Sequence, residues 1–204
     1  MQYIFVHGLG QDFSSWNQTV SHMNLENKIA CLDLYSFLKR GESSYSSLYK
    51  YFSQYCDEVS GPINLCGLSL GGVLALNYAI DNPSKVKSLI LIAAQYQMPK
   101  VLLKAQNIIF RFMPKRAFEA MGISKNDFIQ LTNSMMDIDF SGALNSISCP
   151  TLIICGEKDI ANKKASMAMA DHIVNSELHF VKGAGHEINK DNPKELADVL
   201  NSFL

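Results

Sequence analysis

Six short apolar runs alternate with longer stretches of helical pattern, and this alternation limits the folds available to the chain. The runs are continuously apolar, which is typical of strands buried on both faces. Predicted strands cover residues 3–6, 29–32, 63–66, 86–93, 151–155 and 178–181. Predicted helices cover residues 14–23, 46–59, 70–81, 162–174 and 193–203. We therefore predict an α/β fold with a mostly parallel sheet of about six strands and helices on both faces.

The composition fits a single globular core. The chain has 204 residues, of which 48% are hydrophobic, so one domain with one sizeable core is the default. The formal net charge of −1 does not indicate binding to nucleic acid or to an anionic membrane surface. No apolar run is long enough to span a bilayer, and the first residues resemble a strand more than a signal peptide. We expect a cytoplasmic protein.

The cysteines indicate neither a disulfide framework nor a metal site. The chain has five of them, an odd number, and none forms a C-x-x-C pair. We therefore expect free thiols and no zinc or other metal. Cys66 and Cys155 lie near strand ends, where a nucleophilic role is conceivable. A small core residue is the favoured interpretation for both.

One long segment interrupts the alternation of strands and helices. Residues 96–147 show helical patterns rich in Leu, Ile, Phe and Met and contain no strand pattern. This stretch is too long for a connecting loop. We interpret it as a helical cap inserted into a core formed by residues 1–95 and 148–204. The alternative is an elongated crossover packed on the sheet.

The segment Gly67-Leu68-Ser69-Leu70-Gly71 joins the third predicted strand to the helix that follows. A G-x-S-x-G sequence at such a junction is typical of a nucleophile elbow, in which the serine hydroxyl projects from a tight turn. Gly67 and Gly71 allow the strand and helix backbones to pass close to that turn. The N-terminus of the next helix faces any developing negative charge. Ser69 is therefore the predicted nucleophile.

A serine nucleophile needs a base, and the base needs an orienting acid. Among the five histidines, His186 follows the last predicted strand in a loop of small residues, late in the chain as the order Ser, Asp, His requires. Asp159 follows the strand over residues 151–155 and is the predicted acid. Glu157 is the local competitor, but Asp159 is favoured because two further residues let the loop curl back toward the histidine. The strand over residues 86–93 is followed by no acid.

The segment His7-Gly8-Leu9-Gly10 ends the first predicted strand. A flexible backbone there can aim an N–H group at a substrate carbonyl oxygen. We predict that the backbone N–H groups of Leu9 and Leu70 form an oxyanion hole. We expect His7 to be a structural histidine that hydrogen-bonds loop backbone and, with Gly8, supports this loop.

The order of these motifs resembles the α/β-hydrolase superfamily. The motifs are His7-Gly8 after the first strand, the elbow at Ser69, Gly156-x-x-Asp159 and Gly185-His186. The resemblance covers essentially the whole chain, which is most similar to small capped carboxylesterases, thioesterases and carbon–carbon hydrolases. The chain begins at the strand before His7, so we expect an N-terminally shortened member that lacks the first two antiparallel strands of larger relatives.

The resemblance implies a serine hydrolase that cleaves an ester or thioester through an acyl-enzyme, without metal or organic cofactor. Ser69 would act as nucleophile, His186 as base and Asp159 as its orienting acid. Two alternatives remain open. One is a carbon–carbon hydrolase or lyase that uses the same triad, and the other is a ligand-binding or signalling protein with a slow triad. The sequence does not predict the oligomeric state.

The segment over residues 96–147 also predicts the kind of substrate. Most of its apolar residues must be buried for the chain to fold, and its inner face would cover Ser69. Methionine and phenylalanine form an adaptable apolar wall, which suits an acyl chain or aromatic group better than a charged one. We expect Asp137 and Asp139 to be surface charges or helix caps. The apolar set is Leu102, Leu103, Ile108, Ile109, Phe110, Phe112, Met113, Phe118, Met121, Met135 and Met136.

Overall fold

A six-stranded parallel sheet forms the centre of the molecule. A computed structural model of the chain describes residues 2–25, 29–119 and 121–204, without the side chains of residues 101, 102, 105 and 106. The strand order is β2-β1-β3-β4-β5-β6. The strands are β1 (Gln2–Val6), β2 (Ile29–Leu32), β3 (Ile63–Leu68), β4 (Val86–Ile92), β5 (Thr151–Gly156) and β6 (Ser176–Val181). The predicted fold class is confirmed.

Helices connect the strands and cover both faces of the sheet. They are α1 (Asn17–Ser21), α2 (Leu34–Leu38), α3 (Tyr45–Glu58), α4 (Leu70–Asp81), α5 (Lys100–Phe112), α6 (Lys115–Glu119), α7 (Lys125–Ser134), α8 (Ile160–His172), α9 (Ile188–Asp191) and α10 (Pro193–Phe203). Short 3-10 helices cover Phe13–Trp16 and Leu144–Ser146. No helix in the described residues has the length and apolar character needed to cross a membrane.

The predicted helix over residues 14–23 is in the structure a 3-10 helix, Phe13–Trp16, followed by the short α1, Asn17–Ser21. Further differences concern α2, α9 and α8. Neither α2 nor α9 was predicted, because helices of five and four residues are too short to show a periodic pattern. Helix α8 begins at Ile160 rather than at the predicted Asn162. It starts early because the Asp159 side chain caps its N-terminus by accepting a hydrogen bond from the Asn162 N–H.

The continuous apolar runs of the strands supply two cores, one on each face of the sheet. Alternate residues of β1 point to opposite sides, so Ile4 belongs to one core and Phe5 to the other. The core that contains Phe5 also holds Trp16, whose ring packs edge-on against Phe5 with 5.1 Å between the ring centroids. Burial on both faces explains why β1, β3, β4 and β5 are mainly apolar, whereas the edge strand β6 exposes Glu177 and Phe180.

Residues 96–147, which we call the insertion, contain α5, α6 and α7 between β4 and β5. Phe110, Phe118 and Phe128 pack edge-to-face, with centroid distances of 4.9 to 6.4 Å. The apolar side chains predicted for this segment do not all lie inside, because Ile108, Ile109 and Phe112 are exposed. The side chain of Leu102 lies outside the described residues.

The start of α4 packs unusually close to β1. A Cβ atom on Gly71 would lie 2.3 Å from the carbonyl oxygen of Val6, and one on Gly67 would lie 2.2 Å from the carbonyl oxygen of Gly71. Both obstacles are backbone atoms, which cannot move without separating strand from helix. The two glycines therefore allow β1, β3 and α4 to meet at one turn.

Candidate active site

Ser69 occupies the turn between β3 and α4 in a strained backbone conformation. Its φ angle is +53°, a value that residues other than glycine rarely adopt. The Ser69 N–H donates to the carbonyl of Ile92 at 2.8 Å, and its carbonyl accepts from the Val73 N–H at 3.0 Å. These bonds hold the turn between β4 and the first turn of α4.

Ser69, His186 and Asp159 form a continuous hydrogen-bonded chain. The Ser69 hydroxyl donates to His186 Nε2 at 3.0 Å, and His186 Nδ1–H donates to Asp159 Oδ2 at 2.9 Å. This pattern requires a neutral imidazole with its proton on Nδ1, which leaves Nε2 free to accept a proton. The Asp159 side chain is only 5% exposed and that of His186 is 44% exposed. The structure thus brings together the three residues that the sequence singled out.

The end of β5 gives Asp159 and Glu157 different partners. Burial alone would raise the pKa of Asp159, but hydrogen bonds from His186 and Asn162 outweigh it and lower that pKa below its ordinary value. The carboxyl of Glu157 instead accepts from the Gly183 N–H at 2.8 Å. Glu157 therefore braces the loop before His186 and makes no hydrogen bond to the imidazole.

Two amide side chains that the sequence analysis did not identify support the carboxylate. The Asn162 amide nitrogen lies 2.9 and 2.7 Å from the two carboxylate oxygens of Asp159 and donates to them. Gln95, just after β4, donates from its own amide to Asn162 Oδ1 at 2.7 Å, which fixes the orientation of that group. The sequence signal that could have identified Gln95 was its position as a polar residue shortly after the buried strand β4.

The loop after β1 lies beside Ser69 and is fixed by His7. This histidine is fully buried. Its Nδ1–H donates to the Gly8 carbonyl at 2.8 Å, and its Nε2 accepts from the Leu34 N–H at 3.0 Å. Burial lowers the pKa of His7, although the Gly8 carbonyl and the Asp33 carboxylate act in the opposite direction.

Among the described residues, the backbone N–H groups near Ser69 that have no hydrogen-bond acceptor include two from separate segments of the chain. They belong to Leu9, in the loop after β1, and Leu70, the first residue of α4. Both residues line the same cavity as Ser69. Unsatisfied donors at a helix start and in a neighbouring loop are suited to binding an anionic oxygen.

Gln11 links this loop to the segment after His186 and was also missed by the sequence analysis. It is buried, and its amide nitrogen donates to Glu187 Oε1 at 2.9 Å and to Asn189 Oδ1 at 3.1 Å. Asn189 returns a hydrogen bond to Gln11 Oε1 at 3.2 Å. The paired amides hold the two loops that flank the serine at a fixed separation.

A cavity of about 760 Å³ opens above Ser69 and His186. Glu187 and Lys190 form an ion pair of 3.1 Å among its lining residues. Asp137 and Asp139 are surface charges that bind Lys100 and Ser141, respectively, and do not line the cavity. Apolar residues of the insertion line part of the cavity, namely Met98, Leu103, Phe110, Met121, Phe128 and Met135.

None of the five cysteines lines the cavity, although the Cys155 thiol lies 3.9 Å from the Asp159 backbone carbonyl. All five are free thiols, and Cys66 and Cys155 are buried. Burial raises the pKa of both thiols, which keeps them protonated and weakly nucleophilic. In the part of the chain that the structure describes, no three His, Cys, Asp or Glu side chains cluster in the way that a metal ion requires.

The fold and this arrangement of serine, histidine and aspartate define the class of protein. The alpha/beta hydrolase family model matches residues 3–199. The chain therefore belongs to the α/β-hydrolase family, and the resemblance inferred from its motifs is confirmed.

Two relatives share about a quarter of their aligned residues with the chain. The chain is 25% identical to the alpha/beta hydrolase domain-containing protein VTE7 of Arabidopsis thaliana, over 78% of this chain and 58% of that protein. It is 26% identical to the pimeloyl-(acyl-carrier protein) methyl ester esterase of Vibrio campbellii, over 76% of this chain and 75% of that protein. It thus spans less than two thirds of the length of some curated relatives. The fold is shared with the esterase EaEST from Exiguobacterium antarcticum, at a TM-score of 0.83 and 19% identity over 100% of this chain and 91% of that one.

The buried His7 predicts a specific loss of stability in mild acid. The pKa of His7 is lowered in the folded chain from its ordinary value of 6.5. Below pH 6.5, His7 therefore binds more protons in the unfolded chain than in the folded chain. The free energy of unfolding should be independent of His7 above that pH and fall as the pH drops toward the lowered pKa. Denaturant unfolding between pH 7 and 5 should show this slope in the wild type and a weaker one in His7→Gln. His22→Gln, a change at an exposed histidine, should match the wild type. A full slope in His7→Gln would contradict this interpretation.

Proposed function

We propose that the protein is a serine hydrolase that cleaves a carboxylic ester or thioester of a small, largely apolar substrate. The observation that carries the proposal is the hydrogen-bonded chain from Ser69 through His186 to Asp159, which opens into an apolar cavity. A relative named as a methyl ester esterase supports ester cleavage rather than another reaction of the family.

In the proposed first step, Ser69 Oγ attacks the substrate carbonyl carbon while His186 Nε2 accepts the hydroxyl proton. Asp159 keeps the Nδ1 proton in place and stabilises the imidazolium that forms. The carbonyl oxygen becomes an oxyanion, and the N–H groups of Leu9 and Leu70 are the proposed donors to it. Removing one such donor typically costs about 10²- to 10³-fold in rate.

The tetrahedral intermediate then collapses. His186 delivers its proton to the departing alkoxide or thiolate, and the acyl group remains as an ester on Ser69. A water molecule repeats the attack, with its proton taken by His186 and returned to Ser69 Oγ as the acid leaves. Apart from the substrate and this water molecule, the proposed steps use only the side chains and backbone amides described above.

We further propose that the insertion acts as a cap that selects the acyl group. Its side chains over the cavity are mainly apolar, with methionines that adapt to different shapes. A charged acyl group would lose its hydration there without gaining an ionic partner from the insertion. The Glu187–Lys190 pair lies beyond His186 in sequence, with Glu187 at the N-cap of α9 and Lys190 within that helix, and not on the insertion.

The choice of acid is tested by two matched amide substitutions. Asp159→Asn should lower kcat for a p-nitrophenyl ester on the order of 10³- to 10⁴-fold, because an asparagine favours the wrong imidazole tautomer. Glu157→Gln, on the same strand end, should change kcat little, since that carboxyl contacts only the loop backbone. Ser69→Ala sets the background rate. A larger loss in Glu157→Gln than in Asp159→Asn would reverse the assignment.

Substrate choice is tested by a chain-length series with one leaving group. Each methylene buried against the insertion should raise kcat/KM about fourfold, from about 0.8 kcal/mol per methylene, until the cavity is filled. We expect kcat/KM to rise from acetate to medium-chain esters and anionic acyl groups to be poor substrates. A flat series, or a preference for acetyl or charged acyl groups, would contradict the apolar acyl site. No turnover of any ester or thioester would favour the lyase or ligand-binding alternatives.

A further inference from the structure

Helix α5 has two faces of different character. Its inner face lines the cavity with Leu103 and Phe110 and buries Asn107. The Asn107 amide accepts from the Thr132 hydroxyl at 2.7 Å and donates to Asn133 Oδ1 at 2.7 Å, so this face is tied to α7. The orientation of the helix is thereby fixed, and the opposite side chains must face outward.

The outer face of α5 exposes large apolar side chains. Ile108 is 58% exposed, Ile109 60% and Phe112 86%. Ile108 and Phe112 are four residues apart and therefore lie one above the other on the helix surface. Single exposed apolar residues are common, but three of them within five positions form an exposed apolar patch, and such patches are typical of binding surfaces.

Cations surround this patch. Residues 98–118 contain five Lys and Arg residues and no Asp or Glu, although the whole chain has a net charge of −1. Lys100 is paired with Asp137 at 2.7 Å. The other four are exposed and form no salt bridge with any described residue: Lys104, Arg111, Lys115 and Arg116. The nearest acids along the chain are Glu119, at the end of α6, and Asp127, which accepts hydrogen bonds from Ser43 and Ser124.

We propose that this outer face of α5 docks the protein on the surface of an anionic lipid bilayer. Exposed apolar side chains on a helix that lies flat in the interface enter the boundary between headgroups and acyl chains. Unpaired Lys and Arg residues beside them are attracted to anionic headgroups, and this attraction weakens as salt is added. Lys104 also interacts with the Asp137 carboxylate at longer range, so the uncompensated positive charge is mainly that of Arg111, at the end of α5, and of Lys115 and Arg116 on α6. The apolar patch and these cations together match the acyl layer and the headgroup layer of such a surface.

Docking would also affect how substrate reaches the site. This consequence rests on the proposed function, whereas docking itself does not. The inner face of α5 covers the cavity above Ser69 through Leu103 and Phe110. A protein held by the outer face therefore has its cavity cover next to the bilayer, where apolar esters concentrate. The acyl substrate would be taken from lipid rather than from water.

Vesicle flotation tests the proposal directly. The wild-type protein should float with phosphatidylcholine vesicles that contain phosphatidylglycerol and bind vesicles of phosphatidylcholine alone at least about tenfold less, with the difference falling at high salt. Ile108→Ser combined with Phe112→Ser should lower binding to anionic vesicles about tenfold or more. Arg111→Glu combined with Lys115→Glu should do the same and abolish the preference for anionic lipid.

Matched controls separate this face from general surface effects. Val174→Ser removes an apolar side chain that is 90% exposed just before β6, at the opposite end of the sheet from the strand ends that carry the site. Lys39→Glu combined with Lys50→Glu reverses two exposed cations outside α5. Both control variants should bind anionic vesicles as the wild type does. Circular dichroism and thermal melting should show that all variants are folded.

Three outcomes would overturn the proposal. They are no binding of the wild type to anionic vesicles, equal binding by the α5 variants, and a wild-type dimer that the α5 variants convert to monomers. The last result would identify a second copy of the chain as the occupant. Hydrolysis of a water-soluble ester should be unchanged in the α5 variants, because none of the substituted residues lines the cavity. A failure of the proposed function would thus appear in the ester assay, and a failure of docking in flotation.

Discussion

The turn at Ser69 is the constraint on which the rest of the site depends. It holds a serine at a φ of +53°, and it exists because β1, β3 and α4 approach one another within backbone contact at Gly67 and Gly71. The strain is maintained by the packing of a fully parallel sheet, whose strands all end at the same edge. Asp159 lies at that edge just after β5, and His186 lies there in the loop after β6. The position of the serine and the meeting of its partners thus have one physical origin.

The parallel sheet brings the loops of the site close together, and hydrogen bonds from amide side chains then fix their positions. Asn162 and Gln95 hold the Asp159 carboxylate from one side, while Gln11 and Asn189 join the loop after β1 to the segment after His186. All four amides are neutral, so they orient the charged and reacting groups without adding charge. Neutral amide hydrogen bonds therefore preorganise the site around two carboxylates, Asp159 beside His186 and Glu187 at the cavity wall.

The sequence predicts the features that depend on local pattern. Buried parallel strands require continuous apolar runs, and the elbow requires small residues around Ser69, so both were visible in the chain. The amide of Gln11 could not be assigned, because its partner Asn189 lies 178 residues away and no periodicity links them. Nor could apolar content show which side of α5 faces outward, since Phe110 and Phe112 look alike in sequence. Likewise, the net charge of the whole chain does not show that cations are concentrated in and just after that helix.

The central claim is that the fold activates Ser69 as a nucleophile, and covalent labelling tests it independently of any substrate. A fluorophosphonate should add one phosphonyl group to the wild-type protein by intact mass, and peptide mapping should place it on Ser69. Ser69→Ala should give no adduct, and Asp159→Asn should react far more slowly. No adduct, or an adduct on another residue such as Cys66, would contradict the account.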